Sequence, residues 1–370
     1  MRPCYAEINI ENLKNNFLIV KSKSNGKKIM AVVKANAYGH GSIEVSKTLI
    51  ENGVDYLAVA TLEEALLLRK EFKYIPILIL GPIYDDEIDS AIQNNISITV
   101  SNKEHANKIN HQASLLKEKA IVHIAIDTGM RRIGVQTDFG IDKCIDEINS
   151  ILNMHELNIE GIFTHFASSD SKDISFMNTQ FNLFKYIINK INYKFKYIHC
   201  SNSSAIEFFN DSLFNMVRPG LILYGYSSRN ESNIKNNLKP ILNWKCKISN
   251  LKTVEAFKSI GYSQNYVTPR NSRIATIPVG YADGYNRLLS NKGIVFVNKT
   301  PCRIVGNICM DQCMIDVTNL KECNIGDIVE LLNEDFNAEN IANMCDTIPY
   351  EILCNISSRV PRVYKTEVEQ

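Results

Sequence analysis

The sequence predicts an α/β fold: an N-terminal (β/α)8 TIM-type barrel followed by a C-terminal, mainly β domain. Three observations predict it. Eight short apolar, partly β-branched runs recur from residue 28 to about residue 220. Most are separated by amphipathic stretches with helical spacing of their apolar positions, such as "LEEALLLRK", "NKEHANKIN" and "NTQFNLFKYIINKI". Beyond the polar stretch "SSRNESNIKNNLKP" (227–240) the alternation stops.

The eight runs are, in order, "KIMAVVK", "YLAVAT", "IPILILG", "ISITVS", "VHIAIDT", "IEGIFTH", "YIHCSN" and "MVRPG". Eight strands alternating with helices fit a closed barrel. The competing doubly wound sheet would carry a G-x-G-x-x-G after its first strand, and none follows here. The 227–240 stretch is nearly free of large apolar residues and is closed by Pro240, so it reads as an interdomain crossing. After it come "LNWKCKISNLKTVEAF", "RIATIPVGY", "GIVFVN", "PCRIVGNICMDQCMIDV" and "GDIVELL", strand-like pieces broken by Gly, Asn and Pro, with a short helical piece near "AENIANMC". The expected domains are residues 1–230 and 231–370, and the length of 370 residues agrees with about two.

Lys+Arg 41 against Asp+Glu 40 leaves a net charge of +1, which draws the chain neither to nucleic acid nor to a membrane surface. The N-terminus, "MRPCYAEINIENL", lacks an apolar core with a cleavage site, and no stretch reaches the roughly 18 apolar residues of a spanning helix. A cytoplasmic location is expected. The ten cysteines form no CxxC pairs and read as reduced, mostly buried thiols, with no metal site.

In barrel enzymes chemistry sits at the C-terminal ends of the strands. Those ends here carry Lys34, Asp127, His165, His199 with Ser201 and Asn202, and Arg218. After the seventh strand, Ser204 and Glu207 have capping-box spacing, which would point backbone N–H groups near Ser203 at an anion. After the eighth, Gly220 lets the backbone approach closely. A phosphate-bearing ligand is therefore expected. A desolvated lysine facing it can form a Schiff base with a carbonyl. Pyridoxal 5'-phosphate carries both an aldehyde and a phosphate, and its ring nitrogen needs a polar partner, for which Arg218 is placed. Taken singly, Lys34 also reads as a solvated strand-end lysine, His165 and His199 as structural histidines, Asp127 as a helix cap, Arg218 as half of a surface ion pair and "GYADGY" as a turn. Their convergence on one face argues otherwise.

With these residues in hand, the sequence resembles the alanine racemase family along nearly its whole length. "AVVKANAYGHG", "DTGMRRIGV", "FTHFASSD", "HCSNSSA", "VRPGLILYG", "GYADGY", "CMDQCM" and "SSRVPR" stand in that family's order. The resemblance implies a barrel that binds pyridoxal phosphate and a homodimer in which each β domain completes the partner's site. It implies that Lys34 bonds the cofactor and is one catalytic base, with Tyr262 in "SIGYSQNY" as the second. Arg218 would face the ring nitrogen and His165 the ring. Tyr38, Ser203, Gly220, Leu221 and Tyr350 would bind the phosphate, supported by His199 and Asn202. Arg132 and the backbone of Met310, with Asp311 behind it, would meet the substrate carboxylate, and Tyr281 with Tyr350 would narrow the entrance.

Two departures stand out. Where many members carry a lysine, often carbamylated, just before the "DTGM" stretch, this chain has Ala125 in "HIAIDTGM", so Arg132 lacks that negative partner. Around Tyr262 the family often reads Tyr-Gly, whereas Gly261 precedes and Ser263 follows here, which leaves Tyr266 as the fallback. The implied activity is interconversion of L- and D-alanine, supplying D-alanine for peptidoglycan. The alternatives are a racemase of serine or of a broader set, a decarboxylase, or a barrel that carries the cofactor without turnover.

Overall fold

The computed structural model describes residues 3–229 and 231–366, so the expected boundary at residue 230 and the outer limits at residues 1 and 370 lie outside the described residues. The chain divides into two compact units. One comprises Lys14–Ala37 with Ser42–Leu238. The other, over its described part, covers residues 3–13, 38–41 and 239–366.

The first strand, β1 (Cys4–Asn9), belongs to the second unit. The barrel unit is built from β2 (Lys28–Val32), β3 (Tyr56–Val59), β4 (Ile77–Ile79), β5 (Ser97–Val100), β6 (Ala120–Asp127), a two-residue β7 (Val135–Gln136), β8 (Leu157–Phe163), β9 (Tyr197–His199) and β10 (Met216–Val217). Parallel pairing runs in the order β10-β2-β3-β4-β5-β6-β8-β9, with β7 on β6, and makes a nearly closed eight-stranded barrel. These strands coincide with the eight runs. They read as continuous apolar runs because both of their faces are covered; Tyr56–Val59 and Ile77–Ile79 are completely buried. Each such Val, Leu or Ile contributes about 1.5–3 kcal/mol on leaving water.

The three amphipathic stretches form the helices Leu62–Glu71, Lys103–Leu116 and Ser175–Lys190. Two start on side-chain caps, Thr61 accepting from the Glu64 N–H and Asn102 from the His105 N–H. The capping box expected after β9 is not there. Asn202 caps the helix Ser203–Phe208 by accepting from the Ala205 N–H, two positions earlier than the Ser204–Glu207 pattern required. Ser204 instead donates to the Ser169 carbonyl, and the Glu207 carboxylate accepts from the Ser227 hydroxyl. Four cap-forming residues, Ser201 to Ser204, stand in a row here; the Ser201 hydroxyl is bonded to Ser212, and Asn202, the next in line, takes the role.

After β2 the backbone enters a left-handed turn, with φ of 52°, 53°, 54° and 53° at Ala35, Asn36, Ala37 and Tyr38. For non-glycine residues this conformation costs roughly 1–2 kcal/mol each. Glu64 accepts from the Ala35 N–H at 2.6 Å, Asn36 Oδ1 accepts from the Ser42 N–H at 2.8 Å, and the Ala37 N–H reaches the Val33 carbonyl at 2.8 Å. These bonds hold the turn beside Lys34.

The second unit adds β11 (Leu242–Lys247), β12 (Asn250–Val254), β13 (Ser272–Ile277), β14 (Ile294–Val297), β15 (Thr300–Arg303), β16 (Cys313–Asp316), β17 (Ile328–Leu332) and β18 (Arg362–Lys365). They form a six-stranded sheet, β15-β14-β17-β11-β1-β18, and a three-stranded sheet, β12-β13-β16. The expected helical piece is Ala338–Cys345, and Pro349–Cys354 is a second helix with proline in its first turn. Gly39 and Gly41 belong to this unit: a Cβ on Gly39 would meet the Leu353 carbonyl oxygen and one on Gly41 the Tyr364 hydroxyl. That close packing accounts for "GHG".

Candidate active site

In the barrel unit the strand ends carry the expected polar residues. Arg218 follows β10 and is buried. Its Nη1 donates to His199 Nδ1 at 2.6 Å and to the His199 carbonyl at 2.9 Å. Its Nη2 donates to the Thr164 carbonyl at 2.8 Å, to His165 Nδ1 at 3.2 Å and to the Cys200 carbonyl at 3.3 Å. Among the described residues no acceptor meets its Nε–H and no carboxylate pairs with it, so it is not half of a surface ion pair. Burial pushes its pKa down to about 10, which leaves it charged at neutral pH.

That fixed charge decides the state of its neighbours. An arginine has no lone pair to offer, so both histidine nitrogens facing it must be acceptors. His165 therefore carries its proton on Nε2. Burial, then Arg218, Arg132 and Lys34, push the His165 pKa down to about 3, so the ring is neutral and Lys34, Arg132 and His165 lie within electrostatic reach of one another. His199 is depressed well below its usual value by burial and Arg218. Its ring stacks on Phe163 at 4.9 Å, and the Arg218 guanidinium lies 5.3 Å from the Phe163 ring centre.

Beside this cluster is a set of unpaired backbone donors. Ser203 Oγ accepts from the Gly220 N–H at 2.9 Å and from the Ile222 N–H at 3.4 Å. Among the described residues the N–H groups of Ser203, Ser204 and Leu221 have no acceptor. Asn202 stands at the start of that helix and donates from Nδ2 to Ser169 at 2.8 Å. Converging N–H groups of this kind suit an anion.

Asp127 is not a helix cap. Its Oδ1 accepts from the Gly129 and Arg131 N–H groups at 2.9 Å each and so folds the loop that carries Arg132. Arg131 is paired with Asp138, whereas Arg132 is exposed and has no hydrogen bond or ion pair among the described residues. Ser201 is structural, donating to the Ser212 carbonyl at 2.6 Å.

The second unit holds the other expected residues. Tyr38 is buried with its ring 5.8 Å from that of Tyr350, and burial followed by Tyr350 and Cys354 raises its pKa. Tyr262 stands on a loop pinched off where Ser259 and Val267 bridge, with its carbonyl accepting from Asn307 Nδ2 at 3.0 Å. Its side chain is 72% exposed, whereas Tyr266 packs on Ile260, Ile274 and Val305. Of the two tyrosines, Tyr262 is the more exposed and Tyr266 is half-buried.

The "GYADGY" and "CMDQCM" segments are bonded to each other. The Tyr281 N–H donates to the Cys309 carbonyl and the Ala282 N–H to the Met310 carbonyl, each at 3.0 Å, and a Cβ on Gly280 would collide with both carbonyls. Among the described residues the Met310 N–H has no acceptor. Arg359 then joins Asp311 at 2.7 Å and the completely buried Asp283 at 3.6 Å. Arg359 and His123, the latter bonded to His199, were not among the expected site residues. The signal for His123 was a histidine inside an apolar strand run.

These positions agree with what the chain is similar to. The family described as "Alanine racemase, N-terminal domain" matches residues 8–228, and "Alanine racemase, C-terminal domain" matches residues 241–364. The chain belongs to the alanine racemase family. An alanine racemase of Clostridium kluyveri is 43% identical, across 98% of this chain and 94% of the relative. The alanine racemase structure from Clostridium difficile superposes with a TM-score of 0.94 at 40% identity, covering 99% of this chain and 96% of that one. One from Bartonella henselae, with covalently bound pyridoxal phosphate, gives 0.90 at 28% identity, covering 99% and 100%. As in other alanine racemases, a barrel is joined to a mainly β domain, and the chain is an enzyme of the amino-acid racemase class. Among the described residues no helix is long and apolar enough to cross a membrane.

Proposed function

We propose that the protein racemises alanine with bound pyridoxal 5'-phosphate by a two-base mechanism, and so supplies D-alanine for peptidoglycan in the cytoplasm. What carries this reading is Arg218: its other nitrogens are all held by protein acceptors, and the remaining Nε–H suits a ring nitrogen that accepts. The unpaired N–H groups of Ser203, Ser204 and Leu221 suit the anionic end of the same molecule, and Lys34 supplies an amine for its aldehyde. The donor set therefore fits the cofactor that the family implies.

Bound pyridoxal phosphate supplies an electron sink for the pair left at the α-carbon when its proton departs. Lys34 accepts or delivers that proton on one face, and Tyr262 does so on the other. Arg218, charged throughout, disfavours a protonated ring nitrogen and so weakens the sink enough to suppress side reactions. His165, neutral, holds Arg218 from the side and tunes Tyr262. His199 and Asn202 support the phosphate loop, to which Ser203, Gly220, Leu221, Tyr38 and Tyr350 contribute. Arg132 and the Met310 N–H receive the substrate carboxylate, with Asp311 behind them and Tyr281 at the entrance.

Residues 1–230 carry the cofactor site, and residues 231–370 complete the site of a partner subunit in a homodimer. The exposure of Tyr262, Tyr281 and Met310 supports a partner over that face. The experiment is incubation with a panel of L-amino acids, including alanine and serine, with chiral analysis and carbon dioxide monitored. Alanine emerging as a racemate faster than serine supports the reading; carbon dioxide release or no turnover refutes it.

A further inference from the structure

His199 leans on another histidine from the opposite side to Arg218. His199 Nε2 lies 2.9 Å from His123 Nδ1, and both rings are completely buried. The tautomers along this chain follow from elimination. Arg218 Nη1 donates to His199 Nδ1, so the neutral His199 holds its proton on Nε2. That proton can only be donated to His123 Nδ1. His123 in turn keeps its own proton on Nε2, which has no partner among the described residues. Burial, then Arg218 and Lys196, press the His123 pKa down to about 3, so this ring too is neutral.

An unpaired buried donor is costly, and an aliphatic side chain would avoid it. Yet the barrel is arranged to keep this ring in place. Tyr197 stacks on it at 5.8 Å and Tyr56 meets it edge-on at 5.7 Å, while the Tyr56 hydroxyl is tied to Ser97 at 2.5 Å. Gly161 lies opposite His123 in the β6–β8 register, and a Cβ there would fall on Nδ1 and 2.6 Å from Cε1. The position thus excludes any larger neighbour while retaining a polar ring with one nitrogen unused. What the ring gives in exchange is an acceptor for His199. Hydrogen bonds in such a chain polarise one another, so a His199 that donates on Nε2 accepts better on Nδ1.

We propose that His123 is a positioning residue for the racemase reaction: by accepting the His199 Nε2–H it locks that ring against Arg218 and so fixes where the Arg218 Nε–H points. The proposal rests on the reading of Arg218 as the partner of the cofactor's ring nitrogen. Outer partners of metal-bound histidines are typically worth about 10–100-fold, and a comparable effect is expected here.

The test compares His123→Asn, whose Oδ1 can stand where Nδ1 stood, with His123→Leu and with Gly161→Ala, which displaces the ring without touching it chemically. Each is made as the holoenzyme with 15N-histidine and a 15N-labelled cofactor ring. Wild type should show His199 and His123 as neutral Nε2–H tautomers from about pH 6 to about pH 8. His123→Leu and Gly161→Ala should shift the His199 and ring-nitrogen signals and lower kcat by about 10–100-fold, with KM for alanine within about twofold. His123→Asn should recover most of that loss and the wild-type signals. Should His123→Leu fail to fold, the Asn and Gly161→Ala pair decides alone. A Nδ1–H tautomer at His199, or unmoved signals and kcat in both disrupting variants, overturns the proposal. Arg218→Gln separates the two levels. A ring-nitrogen signal unchanged in Arg218→Gln overturns the parent assignment and this proposal together, whereas a shift there with none in the disrupting variants overturns this proposal only.

Discussion

Arg218 keeps a charge inside the barrel with carbonyl dipoles and neutral imidazoles as its partners. Removing either kind of partner leaves a buried cation unsatisfied, so such a site tolerates little change. Arg218→Lys retains the charge but loses the fork that spans His165, His199 and three carbonyls. Racemisation should fall by about 10²–10⁴-fold, the range of a misplaced proton-handling group, and cofactor should be retained more weakly in gel filtration. Wild-type retention with wild-type kcat would show that the fork is dispensable. Lys34→Ala should fold yet carry no cofactor adduct that borohydride can reduce; a mutant that keeps one dismisses Lys34 as the attachment point. The histidines also make stability depend on pH. Folding lowers the pKa of both His123 and His165 from 6.5 to about 3, so between those values the unfolded chain binds more protons. Their contribution is complete above about pH 6.5 and is lost as the pH falls toward about 3. The urea midpoint should therefore drop from pH 7 to pH 5, and a flat profile would mean that neither ring is held neutral. At this scale Lys34, His165, His199 and Arg218 were legible because each polar residue ends an apolar run. His123 was not, since a buried strand histidine has the same appearance whether or not it has work to do.

Elements were legible where burial dictates pattern and illegible where a local bond decides between near-equal options. The eight runs became barrel strands because two-sided burial demands continuous apolar residues. β1 passed unread although "CYAEIN" alternates: its buried Cys4, Ala6 and Ile8 face the second unit's core, far along the chain from their partners in β11. The left-handed turn after Lys34 has no glycine to announce it. Ala35 is exposed at φ 52°, so Ala35→Gly should remove backbone strain without loss of packing. A stabilisation of about 0.5–1 kcal/mol is expected in urea unfolding, and a loss would mean that the turn is not strained there. In the second unit the segments 280–284 and 309–311 are held together by backbone bonds, and Arg359 bridges Asp311 to Asp283. Arg359→Ala should cost about 1–3 kcal/mol of stability, because it removes the cation beside the completely buried Asp283 as well as the exposed pair with Asp311, and the enzyme should stay folded. It should nevertheless raise KM for alanine several-fold, with kcat little changed, because the Met310 N–H loses its support. Equal effects on kcat and KM, or none, would separate Arg359 from substrate binding.

For the molecule as a whole, the change of periodicity at 227–240 carried the two-part architecture. Lys34 stands in the barrel unit and Tyr262, exposed, in the other. Inversion at the α-carbon needs a base on each face. If each site takes its tyrosine from the partner chain, then Lys34→Ala chains and Tyr262→Ala chains, each inactive as homodimers, should complement. In the mixed dimer one site combines an intact lysine with an intact tyrosine, and the other has neither. Random pairing makes half of the dimers mixed, and one of two sites in each is whole, so co-refolded chains should approach about one quarter of wild-type turnover. If both bases came from one chain, every site in the mixture would lack one of them and activity would stay at the level of the parents. Differently tagged chains purified in tandem isolate the mixed dimer and raise the expected value to about one half. Tandem-purified heterodimers as inactive as either parent would refute the shared site. Repeating the cross with Tyr266→Ala in place of Tyr262→Ala distinguishes the two tyrosines. Because Tyr266 is partly buried against Ile260, Ile274 and Val305 of its own unit, Tyr266→Ala should lose stability rather than a proton donor, and its homodimer should remain active at a temperature where it is folded.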